Sequence, residues 1–437
     1  MNAIRFVSTR GGPPVDLETA IMAGTAPDGG LYVPTELPQL DIEQCPVEAP
    51  LAEVARFMLR PFFSGSGLAS RFDEICSAAF SFPAPVREVQ TGPERLAVLE
   101  LFHGPTAAFK DFGARFLANT MARIVADEAA SGEPATVVVA TSGDTGGAVA
   151  AAFHRQPGMR VVVLFPEGRV SPRQQHQLTC WGDNIIALGV RGEFDDCQRV
   201  AKELFADAAS SRRHNLCSAN SINVGRLLPQ AVYYAKTSID AWAAGGEISR
   251  FIVPTGNLGN AFACAWARSL GFPISDLVLA TNANRTIPDY LQHGEWQPRS
   301  SVATLASAMD VGNPSNMERL RHLWGNAEVL REHVRAFSVT DAEIEAQISA
   351  EYARDGLAWC PHTATGFHVY RHALSQTERA SGTWTIAATA HAAKFDTIVE
   401  PLIDAEVAVP AELSRLLEWP ARYETIDARA AEVLERL

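Results

Sequence analysis

One residue of this chain, Lys110, has the surroundings of a reactive amine. It follows the turn-forming residues His103, Gly104 and Pro105 and begins an apolar helical stretch. Burial disfavours the ammonium form of an amine, and the positive end of a helix macrodipole does the same. A lysine in that position can lose its proton and hold an aldehyde as a Schiff base. A solvated surface lysine is the alternative, and this segment alone does not separate the two.

A loop with the sequence TSGDTGG, at residues 141–147, follows a β-branched strand and precedes an Ala-rich helix. Its glycines leave backbone N–H groups accessible at a helix N-terminus, where anions bind. Ser142 and Thr145 add hydroxyl donors. The sequence therefore predicts an anion-binding loop here, with a tight turn capped by Asp144 as the alternative.

A second loop, PTGNLGN at residues 254–260, also lies between a predicted strand and a predicted helix. It has neither the GK[ST] of a P-loop nor the GxGxxG spacing of a dinucleotide-binding loop. Its two Gly-Asn steps can adopt positive φ angles and point successive N–H groups inward. A phosphate monoester is the ligand that this pattern predicts, and an ordinary turn is the alternative.

Two further segments place polar groups at the ends of elements. Asn220 and Ser221 precede Arg226, which begins an apolar helix and could donate in parallel to a phosphate or carboxylate. Thr389 ends a short strand, where its hydroxyl could hydrogen-bond a neutral pyridine nitrogen. Taken alone, the first segment favours a surface N-cap with a solvated arginine, and the second favours a buried threonine bonded to backbone.

Strands and helices alternate after about residue 95, and this alternation would position the loops. The predicted elements are strands at 95–101, 136–140, 161–165, 251–254 and 277–281, and helices at 112–128, 146–154 and 261–270. The pattern predicts an open α/β fold with helices on both faces of its sheet. Ligands in such folds bind at the carboxyl ends of the strands, where these loops begin.

Composition argues against several classes of protein. The 437 residues are 47% hydrophobic, and no apolar run reaches the roughly 18 residues of a membrane span. The net charge of −13 argues against nucleic-acid and acidic-lipid partners. Seven scattered cysteines without a CxxC pair argue against disulfides and zinc, and the histidines lack metal-ligand spacing. No signal peptide is evident, so we expect a cytoplasmic protein without a metal or a membrane anchor.

Together these segments resemble the threonine synthases of the longer bacterial and fungal type. The motifs that carry the resemblance run in family order over nearly the whole chain. They are STRGGPP, APDGGLYVP, FHGPTAAFKDFGARFL, VVATSGDTGGAVAAAF, FPEGRVSP, RGEFDDCQ, NSINVGRLLPQAVYY, VPTGNLGNAFACAWARSLGFPI, MDVGNPSNMERL and ATAHAAKF. Ala306 and Ala392 stand where we would expect proline from the family motifs, and neither position carries chemistry.

The resemblance implies the tryptophan-synthase-β-like α/β fold, with an N-terminal domain at 1–85, a two-lobed catalytic domain at 86–410 and a helical tail at 411–437. It also implies pyridoxal 5′-phosphate (PLP) as the cofactor, with Lys110 carrying its aldehyde. The implied cofactor contacts are Asp144 near the 3′-oxygen, Thr389 at the pyridine nitrogen, and Gly256, Asn257, Leu258, Gly259 and Asn260 at the phosphate. The implied substrate contacts are Ser142 and Thr145 at the carboxylate, and Asn220, Ser221 and Arg226 at the substrate phosphate.

The implied reaction converts O-phospho-L-homoserine and water into L-threonine and phosphate, the last step of threonine biosynthesis. Lys110 would move the protons, which requires a lowered pKa. Two alternatives stay open: a PLP-dependent phospholyase or dehydratase on the same fold, and a non-catalytic protein that binds PLP or phosphorylated amino acids. We expect a small-molecule substrate as the partner, and the sequence does not indicate an oligomeric state.

Overall fold

The computed structural model describes residues 3–127 and 134–437. Within these ranges no helix is both long and apolar enough to cross a membrane. The strands are β1 (Phe6–Ser8), β2 (Tyr32–Pro34), β3 (Val86–Gln90), β4 (Leu96–Glu100), β5 (Ala135–Ala140), β6 (Met159–Pro166), β7 (Ile185–Arg191), β8 (Leu216–Ser218), β9 (Ser249–Pro254), β10 (Ile274–Thr281), β11 (Val334–Ser338), β12 (Trp384–Ala388) and β13 (Glu424–Asp427).

Helices follow most of these strands and cover the sheets. They are α1 (Leu17–Ala23), α2 (Leu51–Phe63), α3 (Phe72–Ala79), α4 (Lys110–Asp127), α5 (Asp144–Phe153), α6 (Pro172–Thr179), α7 (Phe194–Ala206), α8 (Ala208–Arg213), α9 (Val224–Gly245), α10 (Gly259–Ser269), α11 (Thr286–His293), α12 (Met317–Trp324), α13 (Ala327–His333), α14 (Asp341–Asp355), α15 (Pro361–His368), α16 (Gln376–Arg379), α17 (Asp396–Ile403), α18 (Ala411–Leu417) and α19 (Ala430–Leu434). The predicted strand and helix alternation is confirmed. The helix predicted at 112–128 begins two residues earlier, and its last predicted residue lies outside the described ranges.

Two sheets form two lobes. The large lobe has six strands in the order β11-β10-β9-β12-β4-β3, parallel except for the antiparallel β3–β4 pair. The small lobe has five parallel strands in the order β13-β7-β6-β5-β8. The chain enters the small lobe after β4 and returns to the large lobe through α9. Because the chain passes between the two sheets, both belong to one α/β unit, as the predicted fold class requires.

The C-terminal segment is not the helical tail that the sequence predicted. Between α18 and α19 it forms the strand β13, which pairs in parallel with β7 and places Glu424 opposite Leu188. The sequence of this strand is short and mixed in polarity, and one of its four residues, Ile426, is fully buried. The strand is defined by the open edge of β7 rather than by its own composition.

The central strands are continuous runs of apolar residues because both faces of each sheet are buried. In β5, Val137 and Val139 pack into the core that the two lobes share, whereas Val138 packs into a separate cluster under α7. In β9, Val253 joins the shared core, whereas Ile252 packs toward α15 on the other face. Parallel sheets covered on both sides have this pattern.

The N-terminal unit packs against the helices that lead to and from the small lobe. β1 and β2 form an antiparallel pair, and α2 and α3 contact α9 and α4. Phe63 of α2 meets Phe116 of α4 edge to face, with ring centroids 5.8 Å apart. Packing of the N-terminal unit thus stabilises α4, whose first residue is Lys110.

Candidate active site

The carboxyl ends of both sheets open onto one cavity of about 530 Å³ between the lobes. All the residues singled out in the sequence border it, namely Lys110, Ser142, Asp144, Thr145, Asn220, Ser221, Arg226, Gly256, Asn257, Leu258, Gly259, Asn260 and Thr389. A larger depression of about 700 Å³ beside the edge strand β11 is lined by none of them. The structure therefore brings the predicted site residues together, as expected for loops at strand carboxyl ends.

Lys110 is held at the start of α4 by the chain just after β12. The Phe109 N–H donates to the Thr389 carbonyl at 2.8 Å, and the His391 N–H donates to the Ala107 carbonyl at 3.0 Å. Burial lowers the pKa of Lys110 to about 8, although the carboxylate of Asp144 acts in the opposite direction. Lys110 is half-buried in the cavity wall, not a fully solvated surface lysine, and its lowered pKa makes it a partly neutral amine there.

The loop between β9 and α10 presents a row of unsatisfied backbone donors. In the described part of the chain, the N–H groups of residues 256–260 have no protein acceptor, and no side chain caps the N-terminus of α10. Leu258 takes a left-handed conformation, with φ 62°. A Cβ at Gly256 would lie 2.6 Å from the Cα of Met309, so only glycine fits the wall there. Uncapped donors at a helix N-terminus fit a phosphate, as PLP requires.

The two asparagines of this loop fix its shape with their side chains. Asn257 donates to the Ser221 hydroxyl at 2.9 Å and accepts the Ser315 N–H at 2.6 Å. The side-chain oxygen of Asn260 accepts the hydroxyls of Tyr233 and Tyr234, and its buried amide nitrogen has no protein partner within the described ranges. The loop is thus tied to three other segments before any ligand binds.

The loop between β5 and α5 is organised by Thr141, whose hydroxyl accepts the N–H groups of Gly143 and Gly146 at 3.0 and 2.9 Å. The backbone N–H groups of residues 142, 144 and 145 have no protein acceptor among the described residues. Gly143, not Asp144, is the N-cap of α5. The alternative of a turn capped by Asp144 is therefore wrong, and the loop offers free donors to a carboxylate.

Asp144 has a partner that the sequence did not predict. The ammonium of Lys394, which is fully buried, lies 2.7 Å from its carboxylate, and the Gln174 amide donates to the same oxygen at 3.0 Å. Burial alone would raise the pKa of Asp144, but Lys394 and Lys110 together hold it well below its usual value. Asp144 is therefore an anion at the centre of the site.

The composition contains a signal that could have drawn attention to Lys394. The chain has 33 arginines and only four lysines, Lys110, Lys202, Lys236 and Lys394. Lys394 pairs with Asp144, Lys110 lies near enough to lower the pKa of that carboxylate, and Lys202 borders the cavity. Three of the four lysines therefore lie at or beside the site, where a smaller or deprotonable cation is suited, and the fourth, Lys236, pairs with Asp240 outside the cavity.

Arg226 is buried, not solvated, so the surface N-cap interpretation is wrong. It is 1% exposed, its Nη1 donates to the Ala219 carbonyl at 2.7 Å, and its Nε has no partner among the residues that the structure describes. Within the described ranges no carboxylate pairs with it. Burial lowers its pKa to about 10. An unpaired guanidinium on a cavity wall, beside Asn220 and Ser221, is a site for an anionic ligand.

Thr389 is 6% exposed and lies beside the residues that hold Lys110. Its carbonyl accepts from Phe109. Its hydroxyl has no hydrogen-bond partner in the described part of the chain and belongs to the cavity lining. The interpretation of a strand threonine bonded only to backbone is wrong, because its hydroxyl is available to a ligand.

Two open lobes, a lysine of lowered pKa between them and an uncapped helix N-terminus beside it define a PLP-dependent enzyme. The family model described as pyridoxal-phosphate dependent enzyme matches residues 82–389. Two further models, for the N terminus and the C-terminal part of threonine synthase, match residues 5–80 and 363–437. The chain belongs to the threonine synthase family, which carries PLP as its cofactor.

Relatives and solved structures agree with the family models. The threonine synthase of Haemophilus influenzae is 36% identical over 419 residues, covering 96% of each chain. The PLP-bound threonine synthase from Brucella melitensis superposes with a TM-score of 0.90 at 36% identity, covering 99% of this chain and 98% of the other. For the threonine synthase of Escherichia coli, the TM-score is 0.87 at 33% identity, covering 99% of both chains.

Proposed function

We propose that this chain converts O-phospho-L-homoserine and water into L-threonine and phosphate in the cytoplasm, as the last step of threonine biosynthesis. The carrying observation is that one cavity has two separate anion sites, the free N–H groups at 256–260 and the unpaired guanidinium of Arg226. PLP and a phosphorylated substrate each carry a phosphate, so binding the two in one cavity requires two anion sites. The cysteines are free, as in a reducing compartment.

The residues proposed to hold PLP line the cavity and have polar groups available to a ligand. Lys110 would carry the aldehyde, and the donors of the β9–α10 loop would bind the phosphate at Gly256, Asn257, Leu258, Gly259 and Asn260. Thr389 would face the pyridine nitrogen with its unpaired hydroxyl. Asp144, an anion, would stand beside the 3′-oxygen. When bound, PLP supplies a conjugated ring that stores the electron pair released with the α-proton.

Lys110 is proposed as the group that moves protons. Because its pKa is about 8, its amine is partly neutral near neutral pH and can both accept and return a proton. A surface lysine of ordinary pKa would remain charged and could not act as a base. The lowered pKa arises from burial, so the packing around Lys110 also prepares the base.

The substrate is proposed to lie between the two lobes. Its carboxylate would take the free N–H groups and hydroxyls of the β5–α5 loop, at Ser142 and Thr145. Its phosphate would take the guanidinium of Arg226 with the polar side chains of Asn220 and Ser221. The loop residue Asn257 is bonded to Ser221, so cofactor and substrate phosphates would lie on connected segments.

Product analysis tests the proposal. Purified protein with bound PLP is given O-phospho-L-homoserine, and we expect threonine and phosphate in equal amounts. Phosphate with a 2-keto acid and no threonine would indicate a lyase without water addition, and no turnover would indicate a binding protein. We expect Lys110→Ala to lose at least roughly 1,000-fold in kcat. Lys236→Ala is the matched control, because Lys236 pairs with Asp240 outside the cavity.

A further inference from the structure

The contact between Lys394 and Asp144 crosses from one lobe to the other. Lys394 lies in a 3₁₀ turn, Ala392–Phe395, that follows β12 of the large lobe. Asp144 opens α5 of the small lobe. The Lys394 ammonium also donates to the Thr106 carbonyl at 2.8 Å, in the turn that leads to Lys110. One buried cation therefore joins three segments that border the site.

Stability alone does not account for this ion pair. Removing two charges from water is costly, and well-packed apolar residues are often as stable as a buried pair. The lobes are already joined nearby, since Arg173 of α6 donates to the Ala393 carbonyl at 2.5 Å and pairs with Asp396 at 3.2 Å. A role at the site itself is the remaining explanation for a fully buried lysine.

The charges around Asp144 show what that role is. Besides Lys394, the carboxylate is faced by Lys110, by the Gln174 amide and by His362. Burial lowers the pKa of His362 to about 4, so this imidazole is neutral, and the thiol of the nearby Cys360 is neutral as well. Among the described residues, Lys394 is thus the cation paired with Asp144, and Lys110 is the other cation whose charge acts on it.

We propose that Lys394 is a positioning residue that acts through Asp144. By occupying the carboxylate, Lys394 leaves the Lys110 amine without a permanent counter-ion, so this amine is free to lose its proton. Without Lys394, Asp144 would pair with Lys110 and hold it as an ammonium group. The role given to Lys394 rests on the proposed function, in which Lys110 is the reacting amine.

The test measures Lys110 in the absence of substrate. Full-length protein freed of its cofactor is mixed with PLP, and the growth of visible absorbance is followed from pH 6 to 10. The rate depends on the neutral fraction of Lys110. For Lys394→Met we expect the pH midpoint to rise by about one unit and uptake at pH 7 to slow about tenfold. Lys236→Met, which changes a lysine outside the cavity, should match the wild type.

A second pair of variants keeps the test decisive if Lys394→Met does not fold. Asp144→Asn alone should lower the midpoint, because it removes the carboxylate and keeps the second cation. Because Lys394 acts through Asp144, the double variant Lys394→Met, Asp144→Asn should have nearly the same midpoint as Asp144→Asn. A midpoint about one unit higher in the double variant would overturn the proposal, because Lys394 would then act on Lys110 without Asp144. An unshifted midpoint in folded Lys394→Met would overturn it as well. Threonine formation by the wild type is scored separately, so failure of the proposed function is distinguishable.

Discussion

The two loops that flank Lys110 are built alike but are held differently. Each joins a parallel strand to a helix and exposes backbone N–H groups. The β9–α10 loop is tied by neutral side chains, through Asn257 to Ser221 and Ser315, and is packed at Gly256 against Met309. The β5–α5 loop instead carries a charge at its centre, the carboxylate of Asp144, which pairs with Lys394 and feels the charge of Lys110.

The difference suggests a division of work. A phosphate that keeps its charge through turnover is best held by a rigid set of neutral donors, which need no reorganisation. A group that gains and loses protons needs charges nearby to set its pKa. The neutral loop is thus suited to the constant part of the cofactor, and the charged loop to the reacting part. Each prediction below alters one side of this division.

Among changes to the two loops, the largest effect is expected on the neutral loop, from Gly256→Ala. The added Cβ would lie 2.6 and 2.7 Å from the Cα and carbonyl oxygen of Met309, so backbone must move. Overpacking of this kind costs about 3 kcal/mol, which corresponds to roughly 100-fold weaker retention of PLP. Equilibrium dialysis against free PLP measures the loss.

The control for Gly256→Ala is Gly245→Ala. Gly245 ends α9 with no heavy atom near the position of its Cβ, and it should retain PLP as the wild type does. Wild-type retention in Gly256→Ala would contradict a rigid phosphate-binding loop. In that case the division between the two loops would have to be abandoned.

The second effect concerns the substrate's own phosphate, and it has two opposite parts. In Arg226→Met we expect kcat/KM to fall by about 30- to 100-fold, because a charge-assisted hydrogen bond is lost. The protein should become more stable by about 1–2 kcal/mol, because an unpaired buried charge is removed. The lowered pKa of about 10 supports a gain in stability on substitution. Below pH 10 the guanidinium is charged in both the folded and the unfolded chain, and only the folded chain carries the free-energy cost of burying it.

Steady-state kinetics and urea denaturation separate the two parts of the Arg226→Met prediction. PLP retention is the internal control and should not change, because the cofactor phosphate is assigned to the other loop. A variant that loses PLP along with activity would place Arg226 at the cofactor. The two-site assignment would then be wrong.

Much of this arrangement follows from local sequence. Buried parallel strands are apolar on both faces, so Val137, Val138 and Val139 identify β5 without further information. Because ligands bind at strand carboxyl ends, the polar loops after the strands could be assigned to one cavity before their distances were known. Local pattern therefore identified the two loops as candidate anion sites, whereas the assignment of Lys110 and of each loop to a ligand came from the resemblance to the threonine synthases.

The remainder depends on contacts between distant segments. The role of Lys394 depends on its contact with Asp144, which lies 250 positions earlier in the sequence and in the other lobe. His362 likewise reaches the site from the other lobe, and Gln174 reaches Asp144 from α6, 30 positions along the chain in the same lobe. The strand β13 exists because β7 has a free edge, and its sequence shows no strong strand preference. Local patterns carry no information on which distant partners meet.

The third effect follows from the sign of the Lys110 shift, on the charged side of the site. Its pKa is about 8 in the folded chain against 10.5 ordinarily, so the cofactor-free folded chain binds this proton less well than the unfolded chain. The free-energy cost of burying the protonated Lys110 amine is full below pH 8 and falls away between about pH 8 and 10.5. Relative to Lys110→Met, the wild type should gain up to about 3 kcal/mol over that window.

Urea denaturation of both cofactor-free proteins at pH 7 and pH 10 measures this difference. Groups that titrate equally in the two proteins cancel in the comparison. A difference in unfolding free energy that does not change with pH would show that Lys110 has an ordinary pKa. The reason for placing the proton carrier at this position would then be lost.

The smallest effect distinguishes two adjacent glycines of α5. A Cβ at Gly146 would lie 2.3 Å from the Thr141 methyl group, whereas at Gly147 it would lie 3.5 Å from the Gln177 Cβ, an ordinary contact. Gly147→Ala should therefore stabilise the protein by about 0.5–1 kcal/mol, because alanine favours the helix. Gly146→Ala should destabilise it by about 1–3 kcal/mol, because Thr141 holds the loop and cannot move without releasing it. Thermal denaturation of both variants measures this. Equal stability would mean that the β5–α5 loop yields where the neutral loop does not, which would sharpen the contrast between them.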